Sequence, residues 1–68
     1  MTALHTDDER GALLDIPAVA ELLGVKERFV RRLVEENRVT YHKVGKFVRF
    51  YKRDITDWVA EGRVERQR

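Results

Sequence analysis

The chain has 68 residues, enough for one small domain, and so short a chain buries little surface unless its core is compact and rich in helix. It has no cysteine, which excludes disulfides and thiolate metal sites, and His5 and His42 lie far apart with no partner at ligand spacing, so no metal or cofactor is expected. Basic residues number 14 and acidic residues 12, a formal net charge of +2 that hides a strong segregation along the chain.

Residues 1–12, MTALHTDDERGA, show no apolar period, and a mobile N-terminal arm is expected there. The apolar stretch GALL is far too short for a signal peptide or a membrane span, which points to a soluble, cytoplasmic protein with no membrane partner. A single domain is expected over residues 13–61. In LLDIPAVAELLGV, Asp15 suits a helix N-cap, Pro17 is tolerated in the first turn, and Val19, Ala20 and Leu23 recur on one face. Gly24 stops this helix and leaves only a very short turn before the next.

The second periodic run is KERFVRRLVEENR, whose Val30, Leu33 and Val34 form one apolar stripe. Arg28 and Arg32 fall opposite that stripe, with Arg31 and Glu35 on one flank and Phe29 and Glu36 on the other. Intrahelical pairing of Glu27 with Arg31 accounts for only about 0.2–0.5 kcal/mol, so three arginines on a two-turn face favour an anionic ligand.

Tyr41–Val44 and Phe47–Tyr51 suit strands joined by Gly45 and Lys46 in a two-residue hairpin turn. Alternation places His42, Val44, Val48 and Phe50 on an inner face and Tyr41, Lys43, Phe47 and Arg49 on an outer one. His42 reads as a packing residue. A third helix follows in RDITDWVAEG, where Ile55, Trp58 and Val59 form a stripe that closes the core and Gly62 ends the run. Residues 62–68 then read as a basic C-terminal tail of alternating charge.

Charge follows this layout. Residues 1–24 hold one base, Arg10, against five acids; residues 25–53 hold ten bases against Glu27, Glu35 and Glu36; the remaining residues hold three bases against four acids. A central block of that kind attracts polyanions, while a solvated face with internal ion pairs is the competing explanation. Nothing resembles an active site: there is no nucleophile beside a base, no glycine loop for phosphates and no convergent carboxylate pair. Asp7, Asp8 and Glu9 sit in the arm, a poor platform for preorganised chemistry.

Taken in order, the stretch LLDIPAVAELLGVKERFVRRLVEENRVTYHKVGKFVRFYKRDITDWV resembles the small winged helix-turn-helix domain of excisionases and their relatives in the MerR-like superfamily. The matching features are a first helix ending at Gly24, the FVRRLVEEN helix, the KVGKFVRF wing and the closing RDITDWV run. Lys26 stands where the family often has a Ser or Thr cap, Asn37 where it has glycine, Val48 where an aromatic is frequent, and Tyr51 where proline is common.

The resemblance implies a mainly α fold with a small β-hairpin: helix, turn, recognition helix, two-stranded wing and closing helix. It implies a sequence-specific protein that binds double-stranded DNA, with Lys26, Glu27, Arg28, Arg31 and Arg32 as the recognition-helix contacts and Lys43, Lys46 and Arg49 as the wing contacts. A helix fits the major groove, where arginines meet guanine edges and phosphates and Glu27 accepts from cytosine N4. It further implies an excisionase that binds repeated sites beside neighbouring copies of itself, bends the DNA and directs an integrase toward excision of a phage or mobile element. A small MerR-like transcription regulator and a protein-interaction adaptor using the basic face are the alternatives.

Overall fold

The computed structural model describes residues 11–64. The arm expected over residues 1–12 lies outside the described residues except for Gly11 and Ala12, and the tail expected over 62–68 lies outside them beyond Val64. In chain order the elements are β1 (Leu13–Leu14), α1 (Ile16–Leu23), α2 (Glu27–Glu35), β2 (His42–Val44), β3 (Phe47–Tyr51) and α3 (Lys52–Glu61). The three strands form one antiparallel sheet in the order β1-β3-β2.

The helix boundaries follow from backbone chemistry. Asp15 Oδ1 accepts from the Ala18 N–H at 2.9 Å, which caps α1. Gly24, at φ 72, ends that helix in the left-handed region. Its N–H donates to the Glu21 carbonyl and that of Val25 to the Ala20 carbonyl, so the last carbonyls of the helix are satisfied within a turn that leads directly into α2. Asn37, at φ 54, does the same job for α2: its N–H donates to the Val34 carbonyl and that of Arg38 to the Leu33 carbonyl. Asparagine tolerates this conformation better than most side chains, which is why it can stand in for glycine here.

The core is drawn from every helix and from the central strand. Val19 and Ala20 of α1, Val30 and Leu33 of α2, Val39 of the following loop, Phe50 of β3 and Ile55 of α3 are all buried. Phe50 and Ile55 are the largest side chains with no exposure, each of a size whose burial contributes about 1.5–3 kcal/mol. Trp58 is half-buried and packs against this cluster from its edge. Val59 does not join it: the side chain is 49% exposed, so the expected Ile55, Trp58, Val59 stripe reaches the core through Ile55 and Trp58.

Two further features depart from the expected layout. Leu13 and Leu14 form a strand, pairing with Tyr51 and Phe50 and making β3 the middle of the sheet. The Lys52 N–H also donates to the Ala12 carbonyl at 2.9 Å, so the start of α3 is tied to the same segment. Secondly, β3 has the expected faces but those of β2 are exchanged. Val44 pairs with Phe47, Lys43 with Val48 and His42 with Arg49, and residues opposite one another point to the same side. Val48 and Phe50 therefore face the core with Leu14, while His42 and Val44 lie on the far side with Phe47 and Arg49; Lys43 belongs to the Val48 side. The expected faces came from carrying strict alternation through the turn. A two-residue loop pairs position 44 with 47, an odd separation, so the parity of inward positions changes between β2 and β3.

Candidate nucleic-acid interface

The helix α2 is held from beneath. Val30 and Leu33 are buried and Val34 is half-buried, which leaves Glu27, Arg28, Phe29, Arg31, Arg32 and Glu35 exposed. At about 100° per residue, Arg28, Arg31, Arg32 and Glu35 share one outward face. Arg31 Nη2 donates to Glu27 Oε1 at 3.2 Å, the i, i+4 pair that helical spacing favours. No ion pair among the described residues engages Arg28 or Arg32. Lys26 occupies the N-cap with extended backbone and makes no side-chain cap bond, so its ammonium extends the basic surface at the helix start.

The wing presents a second basic surface of different construction. Gly45 has φ 64 while Lys46 is not among the positive-φ residues, the sign pattern of a type II′ turn, which matches the twist of the flanking strands. Lys43 and Lys46 are exposed and Arg49 is half-buried. Arg49 Nη1 donates to the Val48 carbonyl at 2.8 Å, and its guanidinium lies 5.2 Å from the centre of the Phe47 ring; Lys46 Nζ lies 5.9 Å from the same ring. Those distances are within cation–π range.

The structure thus distributes the eight sequence-derived residues over two platforms. Lys26, Glu27, Arg28, Arg31 and Arg32 gather on α2; Lys46 and Arg49 gather around Phe47; Lys43 stands apart on the other side of the hairpin. His42 is an exposed strand residue, not a packing one. Its Nε2 lies 3.5 Å from Asp54 Oδ2, and its ring meets Tyr51 edge-on at 5.1 Å, which ties the base of the wing to the first turn of α3. Phe47 is outward as expected, but the parity error hid Val44 beside it, and the signal that finds the pair is the turn length.

Two helices joined by a three-residue turn, a two-stranded wing and a closing helix define a winged helix-turn-helix, a class of DNA-binding module. The family model described as Helix-turn-helix domain matches residues 13–63, and the chain belongs to that family. No curated protein and no solved structure matches the chain significantly. Helix-turn-helix domains of this family bind double-stranded DNA, are typically non-enzymatic and are found in excisionase-like DNA-binding proteins.

Proposed function

We propose that the protein is an excisionase-type architectural factor: it recognises repeated DNA sites, binds them cooperatively beside further copies of itself, bends the duplex and directs an integrase toward excision. The observation that carries this reading is the pairing of an arginine face on a core-anchored α2 with a separate cationic wing. In the major groove Arg28, Arg31 and Arg32 face guanine edges and phosphates, Glu27 accepts from cytosine N4, and Lys26 meets the backbone at the helix start. The wing cations Lys43, Lys46 and Arg49 meet phosphates along the neighbouring minor groove. A single module of this size covers only about 600–1,000 Å², so one copy discriminates weakly and an array of copies supplies the missing specificity.

Bending costs about 1–6 kcal/mol for a site of 20–30 base pairs, and phosphate contacts from both platforms offset it. The test uses circularly permuted fragments carrying one repeat or several. The expected result is mobility that depends on site position and a Hill slope that rises with repeat number. Uniform mobility with independent binding would overturn the architectural role and favour a small transcription regulator built on the same domain.

A further inference from the structure

The tip of the wing is apolar, and no part of the described domain covers it. Val44 and Phe47 face each other across the turn and are 51% and 52% exposed. A phenylalanine so placed forfeits the burial that a core position would give it. Two cations attend the same ring, and Arg49 is held in place by its bond to the Val48 carbonyl. A purely apolar partner would have to strip water from both cations, and a purely anionic one would make no use of the ring. The minor groove of a duplex satisfies both demands, because two rails of phosphate flank walls of sugar and stacked base. The tip is also slim. It is two residues wide, and Gly45 projects nothing into open space, which suits a groove about 6 Å across.

We infer that Phe47, backed by Val44, is a wedge that enters the minor groove and opens one base step, with Lys46 and Arg49 on the flanking phosphates. The inference rests on the DNA-binding reading above and deepens it by locating the bend. Apolar wedges that part base steps kink a duplex by about 20–90° toward the major groove, where α2 sits. Pyrimidine–purine steps open most readily, so the wing selects TA or CA/TG at its step without reading a base edge.

The experiment uses the full chain and a duplex recovered by selection from a randomised pool, with the fluorescent analogue 2-aminopurine replacing each adenine in turn. With the wild-type chain, emission rises several-fold at one step outside the α2 site, and permuted fragments report a bend. Phe47→Ala abolishes the rise and most of the bend while circular dichroism reports an unchanged fold, because the ring takes no part in the core. Phe47→Lys adds a cation and loses the bend, whereas Phe47→Leu keeps both signals. Binding without brightening at any position, or a bend that survives in Phe47→Ala or Phe47→Lys, overturns the wedge and leaves the DNA-binding reading standing. Absence of binding to any selected duplex overturns both.

Discussion

The recognition helix and the wing carry similar charge on very different supports. One whole side of α2 is locked into the core through Val30 and Leu33, and its neighbours α1 and the Asn37 turn fix both approaches. In β2 all three residues are exposed, and the hairpin reaches the core only through β3, by Phe50 and the half-buried Val48. Charged groups on a rigid helix can be aimed at individual base edges, which demands accuracy of about 0.5 Å. Charged groups on a slender hairpin suit a backbone whose phosphates present the same face at every step. On the function proposed above, base discrimination is assigned to α2, and deformation and general affinity to the wing.

The largest expected effect removes the only fully buried side chain of the wing. Phe50→Ala, at a fully buried position, costs about 3–5 kcal/mol, a large fraction of the stability of any small domain. Urea denaturation should show it largely unfolded or with a much lower midpoint. An unchanged midpoint would mean that the wing and the helical core are not coupled through this ring.

A sharper comparison comes from the two sets of cations. Arg28→Ala or Arg32→Ala should lose about 1–3 kcal/mol of discrimination between a selected site and a scrambled one. Lys46→Ala should weaken both duplexes alike and reduce the slope of log affinity against log salt by about 1. Equal losses on both duplexes for every variant would remove the division of labour between helix and wing.

Smaller still is the effect of the turn itself. Gly45→Ala meets no steric neighbour, so its cost is the left-handed backbone alone, about 1–2 kcal/mol. Because the hairpin is peripheral, amide exchange in β2 should rise well before the helices are affected; uniform acceleration throughout the domain would contradict the separation of the two supports. Least of all is Glu27→Gln, which removes an exposed ion pair worth about 0.2–0.5 kcal/mol. Thermal melting should hardly register it, while loss of the carboxylate that accepts from cytosine N4 should weaken binding to the selected site more than to a scrambled one; unchanged or tighter binding to both would show that Glu27 only restrains Arg31.

Most of the helical framework was legible because each boundary is set by local chemistry. Asp15, Gly24 and Asn37 perform at their own positions the capping and stopping roles that their side chains suggest. The arginine face of α2 was legible for the same reason, since helical periodicity is rigid over nine residues. What escaped depends on partners distant in sequence or on a change of phase. Leu13–Leu14 is too short to show an alternation, and its partner strand lies far downstream. Val39 is buried although it belongs to no periodic element. The wing's faces required the turn geometry as well as the strand pattern: β3 was read correctly, with Phe47 outward, and that single step decided whether Val44 pointed into the protein or joined Phe47 away from it.

Both borders of the sheet are very short: β1 has two residues and β2 has three. A strand border offers unpaired amides and carbonyls to any extended polypeptide, and proteins blunt that hazard with brevity and lysine. Here β2 has both, with Lys43 at its midpoint. Lys43 thus has a role apart from any phosphate contact: its charge disfavours strand pairing between the wings of two copies. Two such domains brought close together can stay separate without turning their wings into a shared sheet.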